Sequence, residues 1–141
     1  DFYIMVSSSQ LNWQIIRNNS SFLVKRNGVQ MSREAGNLTA QNSYKFSGIA
    51  NDRAVSVDAS AEGFALTLKS TGARASKPAK AVQKANLGRN VRRPARNIKG
   101  ALAQYRPDLA SAAQARLYRL NQVKKNAGKK YNLRTHKRAS K

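Results

Sequence analysis

Cysteine is absent from this chain, histidine occurs once and only six residues are acidic. The lack of cysteine excludes disulfides, thiolate metal sites and cysteine nucleophiles. The acids form no paired-carboxylate pattern for general acid–base catalysis, and His136 has no carboxylate near it in sequence to orient its ring. Glycine-rich phosphate loops, zinc-ligand spacings and the aromatic signature of RNA-recognition motifs are also missing. We therefore expect a protein without enzymatic activity, cofactor, metal or small-molecule substrate.

Long apolar runs are missing as well. No stretch approaches the roughly 18 apolar residues that a membrane-spanning helix needs. The first residues, DFYIMV, lack the charged start and the long apolar core of a secretory signal. We assign residues 1–10 to a frayed N-terminal extension, and we expect a soluble intracellular protein with no membrane partner.

Positive charge is what the chain has in excess. Its 27 Lys and Arg residues give a formal net charge of +21 and a pI near 11.4, far beyond what solubility requires. Residues 1–68 carry six basic and five acidic residues (net +1), whereas residues 69–141 carry 21 basic residues and one acid (net +20). The charge of residues 69–141 therefore predicts a polyanionic partner. Residues 1–68 are nearly neutral, so charge repulsion does not prevent them from folding.

The nearly neutral half has a β-like pattern of short Trp, Ile, Phe, Val and Tyr runs bounded by turn residues. Asn27-Gly28 supplies two positive φ angles for a type I′ hairpin. We predict a β-rich domain over 11–69, built as one antiparallel sheet with one buried face. The predicted strands are 11–16, 21–26, 29–31, 44–46, 55–57 and 64–68.

Alternation along these strands predicts the core. Val55 and Val57 share one face. Five aromatic side chains are expected in the core and not on a base-stacking platform: Trp13, Phe22, Tyr44, Phe46 and Phe64. A domain of about 60 residues buries only about 60% of its unfolded surface, so we expect a helix from the second half, or a binding partner, to cover the sheet.

The second half predicts helices and a tail. Residues 70–90 form a basic linker with a weak helix over 79–87, and residues 91–123 form an arginine-rich helical segment. Pro94 and Pro107 suit the first turns of helices over 94–104 and 107–123. Residues 124–141 lack the apolar content to fold alone and should order only on binding RNA. The predicted fold class is α+β: a small antiparallel β-sheet domain, then two or three short helices and an extended basic C-terminal tail.

The arginine-rich segment is interpreted as an RNA-facing element, because a helix that buries a face against protein seldom carries so many guanidiniums. Its second helix has a narrow apolar stripe, which we expect to make only a small contact with the sheet. Tyr105, Tyr118 and Tyr131 lie among the charges, where they could stack on unpaired bases. For Tyr105 and Tyr118, packing beside the leucine stripe is an equal alternative. The stripe consists of Leu109, Ala112, Ala113, Leu117, Leu120 and Val123, with Arg116 inside it and Arg119 beside it.

Basic runs recur over 73 residues that contain a single acid, which favours nucleic-acid contact over plain solvated surface. We expect recognition mostly of RNA shape. The candidate RNA-binding residues are Arg17, Lys25, Arg26, Arg89, Arg92, Arg93, Arg96, Lys99, Arg106, Arg116, Arg119, Lys124, Lys125, Lys129, Lys130, Arg134, Lys137 and Arg138.

Three blocks occur in order along the chain: WQIIRNNSSFLVKRN (13–27), NLTAQNSYKFSG (37–48) and YRPDL (105–109). They closely resemble the eukaryotic large-subunit ribosomal protein family 28e. The resemblance implies a structural protein of the cytosolic large ribosomal subunit that binds ribosomal RNA beside neighbouring ribosomal proteins, reaches the cytoplasm through the nucleolus and has no enzymatic activity. The alternatives are a nucleolar ribosome-assembly factor sharing the N-terminal domain, a chromatin protein and an RNA-modifying enzyme.

Overall fold

The computed structural model of the protein describes residues 8–75, 77–127 and 129. Its helices and strands, in chain order, are α1 (Ser9–Ile16), β1 (Leu23–Arg26), β2 (Val29–Ser32), β3 (Val55–Ser60), β4 (Gly63–Lys69), β5 (Val82–Gly88), α2 (Arg92–Ala103) and α3 (Ala110–Asn126). Short 3-10 turns occupy Gly72–Arg74, Pro78–Lys80 and Pro107–Leu109. This is the α+β fold class that the sequence predicts. Within the described residues, no helix has the length and hydropathy to cross a bilayer.

The strands form two antiparallel sheets in the described chain, where the sequence predicted one. β1 and β2 pair as a hairpin. Its turn contains Asn27 at φ 48° and Gly28 at φ 76°, which confirms the predicted hairpin, since a type I′ turn requires both angles to be positive. The second sheet has the order β3-β4-β5, and a two-residue turn joins β3 to β4 with Ser60 opposite Gly63.

Two predicted strands and one predicted helix are wrong. Residues 11–16 lie in α1, which begins at Ser9, inside the extension predicted to be frayed. Residues 44–46 belong to a turn in which the Ser47 amide donates to the Ser43 carbonyl at 3.0 Å. The predicted helix over 79–87 is largely replaced by β5, which pairs with β4 at the sheet edge. Short apolar runs do not distinguish helix from strand, and sheet pairing overrides local preference.

The helices α2 and α3 cover one face of the three-stranded sheet. As alternation predicts, β3 and β4 direct their larger apolar side chains to this face. The buried core consists of Leu38, Val55, Val57, Phe64, Leu66, Ala95, Ile98, Leu102, Leu109, Ala113 and Leu117. The expected helical cover is therefore confirmed. The expectation that the arginine-rich segment packs little against protein is wrong. In α2 the buried apolar residues and the exposed basic residues occupy different faces of the helix, and in α3 Arg116 reaches the sheet from within the apolar stripe.

The apolar stripe of α3 follows the predicted wheel for most of its length. Leu109 and Leu117 are buried, and Leu120 packs against the core. Val123 is exposed, and the helix continues to Asn126, three residues beyond its predicted end. Lys124 and Lys125, assigned to a tail that orders only on binding, therefore lie in α3.

Only one of the five aromatic side chains predicted for the core is fully buried, Phe64 on β4. Phe46 packs against the core from its turn. Phe22 and Tyr44 are exposed, and the Trp13 ring lies 6.2 Å from the ring of Tyr44. Trp13 lies in α1, Phe22 in the turn before β1 and Tyr44 in a later turn, so these aromatic side chains do not share a sheet face.

A buried carboxylate fastens the loop after the hairpin. Glu34 accepts hydrogen bonds from the Asn37 amide at 3.1 Å and from the Ser47 hydroxyl at 3.0 Å. All three side chains are buried, so the pairing satisfies groups whose desolvation is otherwise costly. The Glu34 carboxylate thus joins the loop after β2 to the turn that contains Ser47.

Candidate nucleic-acid interface

Arg106, a predicted RNA contact, is held by the protein itself. Its guanidinium donates to the carbonyls of Arg53 and Lys45, each at 3.1 Å. It also pairs with the Asp108 carboxylate at 2.7 Å, and the side chain is only 16% exposed. The hydrogen bond from Arg106 holds the pKa of Asp108 below its ordinary value. Arg106 thus fastens the corner between α2 and α3 to the loops that precede β3.

Arg116 is likewise turned towards the sheet. Its Nε donates to the Val57 carbonyl at 2.9 Å and its Nη1 to the Leu38 carbonyl at 3.3 Å. Nη2 lies 3.5 Å from the Asp58 carboxylate. β3 is an edge strand, so Arg116 supplies a donor to a carbonyl that no neighbouring strand pairs. Its position inside the apolar stripe was the sequence signal for this role.

Lys124, in the last turn of α3, completes this group. Its ammonium donates to the carbonyls of Ser60, at 3.1 Å, and of Gly63. It also lies over the Phe64 ring, 4.7 Å from the centroid. We call Arg106, Arg116 and Lys124 the clamp residues, because each joins the C-terminal helices to the sheet or its loops.

A second group of basic residues lines a cleft where the β5–α2 connection faces α3. One cavity, of about 1030 Å³, is formed mainly by residues 87–94 and Arg96. An adjoining cavity, of about 640 Å³, lies between residues 89–92 and α3. We call the two together the basic cleft. Its lining residues are Leu87, Gly88, Arg89, Asn90, Val91, Arg92, Arg93, Pro94, Arg96, Tyr118, Asn121 and Lys125.

The cleft is strongly positive because its lining contains five cations and no acid. Gly88, at φ 79°, ends β5 and turns the chain towards α2. α2 then begins at Arg92 without a side-chain cap, so the positive end of its dipole adds to the charge. Arg92, Arg93 and Arg96 lie on the exposed side of this helix, opposite the buried Ile98.

The remaining exposed candidates do not line the cleft: Arg17, Lys25, Arg26, Lys99, Arg119 and Lys129. Two of them donate to nearby glutamine side chains: Arg17, directly after α1, to Gln14 at 3.3 Å, and Arg119 to Gln122 in α3 at 3.4 Å. Four more candidates lie outside the described residues: Lys130, Arg134, Lys137 and Arg138.

The structure separates the two tyrosines for which stacking and packing were equal alternatives. Tyr105 packs inward: its hydroxyl donates to the Lys69 carbonyl at 2.5 Å, and burial raises its pKa. Tyr118 is 52% exposed and lines the cleft. Sequence reasoning missed Asn121, which the helical spacing from Tyr118 would have placed on the same face. Tyr131 lies outside the described residues.

In the described part of the chain, no three acidic or histidine side chains lie close enough together to hold a metal ion. The acids that contact basic side chains there do so singly, as Asp108 does with Arg106 and Asp58 with Arg116. His136 lies outside the described residues. What the geometry offers is an acid-free cationic cleft on helices fastened to a sheet, which suits polyanion binding.

Comparison with known proteins decides the family. The Ribosomal L28e protein family matches residues 11–123. The chain belongs to this family. It is 40% identical over 119 residues to the large ribosomal subunit protein eL28 of Schizosaccharomyces pombe, a match covering 79% of this chain and 89% of the relative. The eL28 protein of Dictyostelium discoideum is 34% identical over 123 residues, covering 86% and 92%, respectively. That of Caenorhabditis elegans is 43% identical over 96 residues, covering 64% and 74%.

The predicted resemblance to the L28e family is thus confirmed, and it reaches beyond the blocks that suggested it. The matched range contains α1 from its third residue, the hairpin, the three-stranded sheet and α2. It also contains the whole lining of the basic cleft except Lys125. The clamp residues Arg106 and Arg116 fall within it and Lys124 just outside. The L28e match therefore covers both the body of the fold and nearly all of its basic cleft.

Proposed function

We propose that this L28e-family protein is a structural constituent of the cytosolic large ribosomal subunit, where it binds and stabilises ribosomal RNA. The relatives named large ribosomal subunit protein eL28 support the ribosomal role. The acid-free basic cleft is the observation that carries RNA binding. The protein catalyses no reaction and needs no cofactor. It contacts neighbouring ribosomal proteins and passes through the nucleolus during assembly.

Binding works by replacing condensed counterions with fixed cations. Each phosphate neutralised by Lys or Arg releases counterions into bulk solvent, which favours association at low salt. Arginine contributes more than charge, because its planar fork can bridge two phosphate oxygens. The clamp residues hold α3 and the corner before it on the sheet and its loops, and α2 packs on the same core through Ile98 and Leu102, so the cleft cations require little ordering when RNA binds.

We rank the candidate contacts by where their side chains lie. The principal contacts are the cleft cations Arg89, Arg92, Arg93, Arg96 and Lys125. The exposed cations outside the cleft, such as Lys99 and Arg119, make secondary phosphate contacts, and the basic residues beyond 129 extend the RNA-binding surface as the sequence predicts. The clamp residues already donate to protein carbonyls, so we assign them to stability and not to RNA contact.

Sedimentation of cell extracts tests the ribosomal assignment. We expect the protein to stay with mature large subunits and polysomes after a moderate salt wash, in constant ratio to other large-subunit proteins. Recovery only in nuclear pre-ribosomes would instead support the assembly-factor alternative, and recovery on DNA would support a chromatin role. A matched blot for a known large-subunit protein controls for loss during the wash.

A further inference from the structure

One wall of the basic cleft has a feature that phosphate binding alone does not explain. Tyr118 exposes 52% of its surface among cations and amides. In the described structure its hydroxyl makes no hydrogen bond, and its ring does not join the side chains packed around the core. An exposed aromatic ring contributes nothing to phosphate neutralisation, so its placement here points to a second kind of contact.

Helical spacing builds a small site around this ring. Tyr118, Asn121 and Lys125 follow at intervals of three and four residues, so they share one face of α3. That face is opposed by Arg89 and residues 90–92, and the space between them is about 640 Å³. Pockets for small ligands span about 300–1,000 Å³, a range that accommodates a nucleotide. The site thus offers an aromatic surface, two amide side chains and three cations in one cavity.

We propose that this cavity binds one unpaired nucleotide of the RNA, with the base stacked on Tyr118. The cations Arg89, Arg92 and Lys125 hold the flanking phosphates, and the Asn121 amide lies in the same cavity to bond a base edge. Sequence-tolerant stacking on aromatic rings is a general means of holding unpaired bases. The inference rests on the proposed RNA-binding function and adds the class of RNA element that is bound.

Paired RNA does not fit this site. An A-form duplex keeps its bases stacked, and its deep major groove admits few side chains. A looped-out base, in contrast, presents a free face for stacking and a phosphate on either side. A protein segment is the competing occupant, since tyrosine is also common at protein interfaces. The three cations without an acid in this cavity favour the nucleotide.

The test uses the full-length chain and two synthetic RNAs. One is a paired duplex, and the other is the same duplex with a single bulged 2-aminopurine, whose fluorescence falls when the base stacks. We expect the wild-type chain to bind the bulged RNA more tightly and to quench its fluorescence. Tyr118→Leu should lower affinity for the bulged RNA about tenfold, abolish the quenching and leave duplex binding unchanged. Tyr118→Phe should retain both properties, because the ring and not the hydroxyl stacks.

Controls separate this inference from the proposed function. Tyr44→Leu makes the same change at an exposed tyrosine outside the cleft and should leave both affinities unchanged. Matching thermal melts of wild type and Tyr118→Leu would show an intact fold. If both RNAs bind equally and in a salt-dependent way, without quenching, the nucleotide site is wrong while RNA binding stands. If neither RNA binds, the proposed function fails as well.

Discussion

Arg92 and Arg116 carry the same guanidinium on neighbouring helices, yet the structure uses them in opposite ways. Arg116 donates to the carbonyls of Val57 and Leu38 and approaches Asp58, so each of its three guanidinium nitrogens has a partner within the protein. Arg92 is exposed and lines a cleft without an acid. The comparison shows that a basic residue in a basic chain is not by itself an RNA contact. Its role depends on whether the guanidinium is surrounded by acceptors of the protein or lies in an acid-free cleft.

The same division separates the clamp residues from the cleft cations as groups. A partly buried cation must find acceptors to replace water, and an edge strand or an irregular loop exposes carbonyls that can serve. The cleft cations remain hydrated and mutually repulsive until an anion arrives. The clamp residues should therefore affect folding more than RNA binding, and the cleft cations should affect RNA binding more than folding.

The largest expected effect is on RNA affinity. The triple variant Arg92→Gln, Arg93→Gln, Arg96→Gln should weaken binding to structured ribosomal RNA by roughly 100-fold at low salt, because phosphate neutralisation dominates affinity. The plot of log affinity against log salt should become shallower by about 0.7 to 0.9 for each phosphate that the variant no longer neutralises. Filter binding across a salt series measures both quantities.

A charge-matched control sharpens this test. Lys77, Lys80 and Lys84 are exposed and do not line the cleft, so changing all three to Gln removes the same charge elsewhere. Its effect on affinity should be much smaller. An equal weakening in the two triple variants would mean that overall charge, and not the cleft, binds the RNA.

The next effect is on stability. Arg116→Ala should lower the free energy of unfolding by about 1–3 kcal/mol, because it leaves the carbonyls of Val57 and Leu38 without these donors. RNA affinity should change little. Urea unfolding monitored by circular dichroism provides the stability. Arg119→Ala, an exposed change on the same helix, is the control and should stay within about 0.5 kcal/mol of wild type. A stable Arg116→Ala protein with weak RNA binding would contradict the division proposed here.

The smallest effect is the pH dependence of the Arg106–Asp108 pair. The hydrogen bond from Arg106 lowers the pKa of Asp108 in the folded protein, so the pair adds stability above the unfolded pKa, and that contribution disappears as pH falls through the folded pKa. The Asp108 side chain is 43% exposed, so solvent screening keeps the effect small. Asp108→Asn should therefore be less stable than wild type near neutral pH, and the gap should narrow as the pH falls below about 4 and close once the pH is below the folded pKa. Urea midpoints over a pH series measure this gap, and a constant difference across that series would exclude the pair as its source.

Local signals predicted the elements whose chemistry is local. The hairpin follows from Asn27-Gly28, and α2 and the 3-10 turn before α3 have prolines in their first turns. Alternation around Val55 and Val57 identified the buried face of β3. The predictions were wrong for α1 and β5. Each is a short segment whose sequence suits both helix and strand, and a contact with residues distant in sequence selects one of the two. For β5 that contact is pairing with β4.

The sequence by itself determined the unequal division of charge, the α+β class and the family to which the chain belongs. These depend on composition, local pattern and distinctive blocks of residues, all of which a linear chain displays. Only the tertiary structure decided which cations the protein keeps for itself and which meet in the basic cleft. Arg106 reaches carbonyls 53 and 61 residues away in sequence, and Tyr118 meets residues 89–92 across the cleft. These long-range contacts depend on how the helices pack on the sheet, and no local sequence pattern specifies the position of a side chain's terminal group in the fold.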